Sequence, residues 1–471
     1  MRENDLIGSC LIVLRVGIIS DWTTNPDNID GTLASMVVPV KPDVSGTPTE
    51  TSRVPPSPSS TGFLANLGPG LVTGAADDDP SGIATYSQVG AQFGYGLAWT
   101  MLFSFPLMAA IQAVSARIGC VTGHGIAHNL RRHYSPWLLR AVVSLLVIAN
   151  VINLGADLGA MGAALGLLIG GPERIYTVAL GVVCILLETF ISYASYAAVL
   201  KWATLSLFTY VGVVFAAHVP WGLALYGTFV PQFVFDTPHA TALVAVLGTT
   251  ISPYLFFWQA GQEVEELHRR HVKPLCITPR DAGPELSRIR NDTIFGMGIS
   301  NLIALFIIFA TAATLNATGV TDIQTSSQAA EALRPVAGAF TFALFAIGII
   351  STGMLAVPVL AGSAAYGVSE VFSWREGLDH KLKEAKAFYA TIAVATLLGV
   401  ALNFTPIDPI KALYWSAVVN GVLAAPLMAV MMVMAMNPHI MGRLTLPRPL
   451  LVVGWVATAV MALATIGFFF I

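Results

Sequence analysis

From residue 63 onward the chain is built of long apolar segments separated by short polar ones. A helix needs about 20 apolar residues to cross the hydrocarbon core of a bilayer. In that medium every backbone amide and carbonyl must be satisfied within the chain, and the α-helix is the only open-ended structure that does so. The expectation is therefore an all-α integral membrane protein. Counting by length gives roughly eleven spans, at 63–92, 96–118, 140–168, 174–194, 197–218, 241–265, 293–315, 335–365, 386–403, 409–436 and 448–470.

The charges support this count. Only 11% of residues are charged, against 55% hydrophobic, and a soluble globular chain carries about twice that charged share. The net charge of −3 is too small to imply a polyanionic partner, and no nucleic-acid motif occurs. Arg131, Arg132 and Arg140 lie between spans two and three, with Arg117 at the end of span two. Arg269, Arg270, Lys273, Arg280, Arg288 and Arg290 follow span six, and Arg375, Lys381, Lys383 and Lys386 follow span eight. Arg443 and Arg448 precede the last span. The alternate loops hold only Arg174, Arg334 and Lys411. This is the positive-inside asymmetry. It places the N-terminus inside and, with an odd number of spans, the C-terminus outside; the expected membrane is the plasma (inner) membrane. The lipid bilayer is thus one expected partner.

Residues 1–60 differ in kind. Leu6 to Ser20 is a short apolar run broken by Arg15, and Val37 to Thr61 is rich in Pro, Ser and Thr. The expectation is a disordered tail at 1–60, because such a stretch cannot offset its ordering entropy. No A-x-A-like cleavage site follows the apolar run, so it does not read as a signal peptide. Residues 61–471 form the expected transmembrane domain. The four cysteines show no CxxC spacing and imply neither a disulfide framework nor a zinc site.

Two spans break helix rules at mid-membrane depth. The first, Gly68 to Gln88, carries Asp77, Asp78 and Asp79 in a row, then Pro80, Ser81 and Gly82. Proline removes a backbone donor and clashes with the preceding turn. Carboxylates in a membrane are costly and face functional cavities by default. The second, Leu247 to Glu266, has Pro253 after Thr249, Thr250, Ile251 and Ser252. Interrupted helices at corresponding positions of two halves point to a transporter site. Spans one and six are five apart. This suggests two inverted five-helix repeats, at about 61–218 and 241–436, with an extra helix at 448–470. The blander readings are a structural proline kink at Pro253 and a solvated acidic run in which Asp77 or Asp78 is a bystander.

At these two segments the chain resembles the Nramp family of divalent metal transporters. That family's first helix carries a GPG turn, an Asp-Pro-Gly-Asn break and an AQFGY-like exit. Here Gly68-Pro69-Gly70 is followed at matching spacing by Asp79-Pro80-Ser81-Gly82, and then by Gly90-Ala91-Gln92-Phe93-Gly94-Tyr95. The likeness runs from about Gly68 to Arg443. It implies a LeuT-type fold with helices one and six broken and a metal site between the breaks. By position, Asp79 matches the family's metal-binding aspartate, and Thr249 matches a residue that offers a backbone carbonyl.

Three departures bear on the metal. Gly82 stands for the motif's asparagine and Ser252 for the helix-six methionine. Tyr254 stands for the histidine that follows, while a later helix-six histidine falls at Gln259. A thioether selects softer metals, whereas hydroxyl, carboxylate and water suit Mg²⁺ and Mn²⁺. The chain thus looks closer to the family's magnesium branch, with Mg²⁺ or Mn²⁺ as transported substrate and no resident cofactor. None of the nine histidines falls near a span centre. On helix three Asp157 lacks the second acid that the family pattern has. Obligatory proton coupling is therefore not expected.

The expected metal set is Asp79, Gly82, Thr249, Ser252 and Tyr254, with Asp78, Asp157 and Asn420 as candidates along the ion path. Asp157 is equally open to a structural role. Glu188 is a lone membrane carboxylate. Glu263, Glu265 and Glu266 read as a solvated face, and His124 with His128 as an incidental pair. No GxSxG, P-loop or HExxH motif occurs, so the chain does not read as an enzyme. The competing classes are a broad Mn/Fe proton symporter, a sodium-coupled amino-acid symporter on the same fold, and a metal receptor.

Overall fold

The computed structural model describes residues 69–191, 207–378 and 380–470. The expected tail at 1–60, Gly68 and the first part of span five lie outside the described residues. Every regular element described is helical. The first span is split into α1 (Pro69–Asp77) and α2 (Pro80–Phe93). It is followed by α3 (Trp99–Thr122), α4 (Ile126–His133), α5 (Pro136–Ile169), α6 (Glu173–Phe190), α7 (Phe208–Ala216) and α8 (Trp221–Phe229). The sixth span is likewise split, into α9 (Thr237–Thr250) and α10 (Pro253–Arg269). Then come α11 (Ala282–Thr314), α12 (Thr341–Phe372), α13 (Lys386–Leu402), α14 (Pro409–Met436) and α15 (Arg448–Phe470).

Seven stretches among the described residues are long and apolar enough to cross a membrane, and α13 is a shorter apolar helix. They coincide with spans two, three, six to eight, ten and eleven, and α13 with span nine. Spans one and four correspond to the α1–α2 pair and to α6, and the described part of span five to α7. Local chemistry sets the helix ends. Ser135 and Asp408 accept hydrogen bonds from the first-turn amides of α5 and α14, and each is followed by proline at the first helical position. α3 and α5 stop at Gly123 and Gly170, whose φ values of 69° and 71° suit glycine.

The pairing of helices is reciprocal. The seventh span, α11, lies along α1 and α2, the halves of the first broken span. The second span, α3, lies along α10 of the other broken span. α5 packs on α6 as α12 packs on α13, and α5 and α12 lie on each other. Exchanging the two halves of the chain reproduces these contacts, as two repeats require. α15 stands outside the exchange, against α14 and α3.

Close approach relies on missing side chains. A Cβ on Gly74 of α1 would lie 2.4 Å from the Gly296 carbonyl of α11. A Cβ on Gly248 of α9 would lie 2.1 Å from the Ala417 carbonyl oxygen and 2.4 Å from the Gly421 nitrogen of α14. Small residues at such crossings let backbones touch where lipid gives no hydrophobic drive.

The acidic end of α10 differs from the expected solvated face. α11 begins at Ala282, well before 293, and Arg288 of its polar extension reaches the acidic end of α10. Glu263 and Glu265 are buried. Arg288 Nη2 lies 2.6 Å from Glu263 Oε2 and its Nε 2.8 Å from Glu285 Oε1, which also meets Arg270 Nη1 at 2.8 Å. Glu265 Oε1 accepts from the Tyr366 hydroxyl and from the Leu378 amide. Only Glu266 stays partly exposed, beside Arg269 at 3.1 Å.

His124 and His128 stack face to face at 3.9 Å with an 8° interplanar angle, which does not turn their nitrogens toward a shared ion. Burial first, and then the charges of His124 and Arg131, push the His128 imidazole down to about 3. No group of three His, Cys, Asp or Glu side chains converges as a metal cluster among the described residues.

Gly248→Ala is expected to force α9 and α14 apart. Overpacking of this kind costs about 1–3 kcal/mol. The purified variant in detergent should melt at a lower temperature than the parent, read by size-exclusion recovery after heating. An unchanged melting temperature would mean that this crossing does not set the packing.

Candidate functional site

Both breaks use the same local device. Asp79 is extended (φ −70°, ψ 171°) and is the N-cap of α2, with Pro80 at its first position. Ser252 is extended (φ −77°, ψ 131°) at the N-cap position of α10, with Pro253 next. Proline lacks an amide that a first turn would leave unpaired anyway, so it stops one half-helix and starts the other without loss. The carbonyl ends of α1 and α9 and the amide ends of α2 and α10 therefore meet at the breaks. Carbonyl ends favour cations.

The side chains at the two breaks act in opposite directions. Asp79 Oδ1 accepts from the Gly82 amide and the Ser81 hydroxyl, both at 2.7 Å. Its Oδ2 accepts from the Tyr254 hydroxyl of α10 at 3.1 Å, and that hydroxyl also lies 3.3 Å from the Ala76 carbonyl of α1. Ser252 instead donates. Its hydroxyl lies 2.8 Å from both the Gly248 and the Thr249 carbonyl oxygens. The Thr249 carbonyl thus has one lone pair turned to Ser252.

Asp77, Asp78 and Asp79 are all buried, at 1%, 4% and 1% exposure. The solvated-run reading fails for each of them. Ser300 of α11 explains why two of them are held: its hydroxyl lies 2.8 Å from Asp77 Oδ2 and 3.0 Å from Asp78 Oδ1. One hydroxyl proton serves only one acceptor at a time, and Asp77 Oδ1 has no donor among the described residues. The described groups acting on the three carboxylates are serines, Tyr254, backbone amides and each other, with no basic side chain among them.

The remaining expected residues surround this point to different degrees. A Cβ on Gly82 would lie 3.2 Å from the Asp77 carbonyl oxygen and 3.3 Å from Thr249 Oγ1 and Tyr86 Cε2. Gly82 therefore sits between the two breaks. Asp157 of α5 is fully buried, faces the Ser81 amide and lies in the field of Asp79. Neither of its oxygens reaches hydrogen-bonding geometry with a donor among the described residues. Asn420 is buried on α14 beside Gly421, where that helix touches Gly248, and its Nδ2 has no acceptor among the described residues. No described contact brings it to Asp79. Gln259 faces the other way, accepting from Thr73 of α1 and donating to Glu263 at 3.2 Å.

Ser300 and Ser81 were not among the residues expected from sequence. Ser300 followed by Asn301 is a polar pair inside an apolar span, which is the signal that would have found it.

The comparisons with known proteins bear on the family and the fold. The sequence model of the natural resistance-associated macrophage protein-like (Nramp) family matches residues 70–470. The divalent metal cation transporter MntH of Burkholderia ambifaria is 28% identical over 406 residues, covering 84% of this chain and 87% of that protein. The Eremococcus coleocola manganese transporter superposes with a TM-score of 0.70 at 17% identity, over 89% of each chain. Mhp1, a nucleobase-cation-symport-1 family transporter, superposes at 0.51 with 13% identity, over 85% of this chain and 91% of its own. The fold is thus the LeuT type, and with a family match across nearly all of the described chain, the protein belongs to the Nramp family of divalent metal ion transporters.

Proposed function

We propose that the protein carries Mg²⁺ or Mn²⁺ across the membrane by alternating access around the two breaks, with Asp79 as the principal ligand. The observation that carries this reading is the burial of three carboxylates at one helix break with no basic partner among the described residues. Uncompensated buried charge is strongly unfavourable, and a divalent cation supplies the missing positive charge. The same carboxylates would repel the carboxylate of an amino-acid substrate, which disfavours the symporter alternative.

In this reading the Thr249 carbonyl, the Ser252 hydroxyl and the Tyr254 phenol complete the lining. Gly82 leaves room where a larger residue would intrude. Asp78, Asp157 and Asn420 lie along the path to the site. The site offers oxygen and no sulfur, which suits hard cations that keep water in their shell. The transport unit begins near residue 61, and the N-terminus is cytoplasmic. The absence of a second acid beside Asp157 on α5 and the lack of histidine at the breaks support metal movement without obligatory proton coupling. The relatives named as MntH, and the manganese transporter among the solved structures, favour the second reading, a broader transition-metal carrier.

Reconstituted vesicles offered Mg²⁺, Mn²⁺ and Cd²⁺ separately should take up the first two, and Asp79→Ala should reduce uptake to background. A lumenal pH dye should show no acidification tied to metal entry. Strong Cd²⁺ uptake, or acidification in step with metal, would establish the broader symporter instead.

Ser252→Met should raise Cd²⁺ uptake relative to Mg²⁺, since a thioether favours soft ions. An unchanged ratio would remove Ser252 from the selectivity argument.

Tyr254→Phe deletes a hydroxyl that orients Asp79. Loss of such a partner costs roughly 10- to 100-fold in metal affinity. The expected result is a raised KM for metal with a maximal rate close to the parent's; an unchanged KM would make the tyrosine a packing residue only.

A further inference from the structure

The segment joining α7 to α9 is not used by the transport reading. Residues 219–235 contain no Lys, Arg, Asp or Glu, yet include Trp221, Tyr226, Phe229, Phe233 and Phe235. A connection in water would be polar.

One side of this segment is pinned to the bundle. A Cβ on Gly227 of α8 would lie 2.2 Å from the Tyr95 carbonyl oxygen, so α8 rests directly on the backbone that leaves α2. The Phe233 ring lies 5.2 Å from the Trp99 ring at the start of α3. The other side is open. Leu223, Phe229, Phe233 and Phe235 are 62%, 62%, 67% and 82% exposed. A contiguous apolar surface of this kind marks an interaction site.

What covers it follows from its neighbours and its charge. Phe215 of α7, 71% exposed, lies 5.9 Å from the Trp221 ring, so the patch continues the apolar surface of a span without a break. Phe103 of α3, also exposed, lies 5.9 Å from Trp99 on the other side. Polar residues mark the two ends of the segment: His218 before it and Asp236 after it, where Asp236 accepts from the His239 amide at 2.8 Å and caps α9. Aromatic residues gather where the bilayer meets water.

We propose that α8 and residues 230–235 form an interfacial strap, seated in the headgroup–acyl boundary of one leaflet and crossing the end of α2. The lipid surface is its partner. Since α2 carries the Asp79 cap at its other end, the strap ties one half of the first broken span to the membrane plane. The inference rests on the chain spanning a bilayer and not on which ion it moves.

The test is depth-resolved tryptophan quenching of the full chain in phosphatidylcholine vesicles. Two variants are compared with the parent: Trp221→Phe, which removes one emitter, and Phe235→Trp, which adds one. Both exchange one aromatic for another, and size-exclusion elution checks that they fold. The difference emission at each position should fall at least about twofold with lipid brominated near the headgroup, and little with aqueous acrylamide. Quenching by acrylamide and not by lipid would place the segment in water and overturn the proposal. Resistance to both quenchers would show a protein cover, such as a second copy of this chain, and would overturn it equally. Either result leaves the metal reading untouched, because uptake is measured separately.

Discussion

In a medium without water, a backbone group freed from a helix must find another partner. The site depends on how the chain meets that demand at two places. At Asp78 and again at Ile251 and Ser252 the helix stops, and each time a proline at the first position begins the next half-helix. The loose ends are satisfied in opposite senses. A carboxylate accepts from the amides that begin α2, whereas a hydroxyl donates to the carbonyls that end α9. One break is thereby rich in negative charge and the other in neutral oxygen.

This asymmetry determines which helices must surround the site. The carboxylates need donors, and the donors come from the opposite half of the chain. Ser300 reaches Asp77 and Asp78 from α11, and Tyr254 reaches Asp79 from α10. The backbone contact of Gly74 with Gly296 brings α11 close enough for the first of these bonds. The Gly70 amide reinforces it by donating to Asp292 Oδ2 at 2.7 Å. Packing by small residues and satisfaction of the acids are thus one structural solution, since neither α1 nor α11 could shift without leaving an acid unpaired.

Much of this is legible in the sequence because it violates the sequence's own pattern. Aspartate and proline stand out in an apolar span whatever the tertiary structure, so the two breaks and the acidic run at the first are legible before any coordinates, whereas Tyr254 is singled out only through the family resemblance. Ser300 is not legible in this way, because serine is commonplace in membrane helices and its importance lies in which way it faces. Helices that are apolar all round carry no strong 3.6-residue stripe to fix that direction. The same blindness applies to Glu263 and Glu265. Glu263 is met by Arg288 because α11 starts as far back as Ala282, whereas Glu265 is held by Tyr366 of α12 and the Leu378 amide, and neither pairing shows in the local sequence. The exposed aromatics at 221–235 are hidden for the reverse reason, since they are too few in a row to count as a span.

The serine at 252 affects the proposed selectivity twice. It brings no sulfur, and its hydroxyl proton is shared between the Gly248 and Thr249 carbonyls. A thioether there would donate nothing and would leave both carbonyls fully open to a cation. With serine, one lone pair of the Thr249 oxygen is engaged, and Asp79 already has both oxygens in hydrogen bonds. Few direct ligands then remain for an ion. A cation held by few protein oxygens must keep water for the rest of its shell, a condition that Mg²⁺ meets readily because it dehydrates reluctantly. In the proposed site a soft ion would lose more, since the donor it prefers is missing and the serine in its place turns its proton toward the backbone.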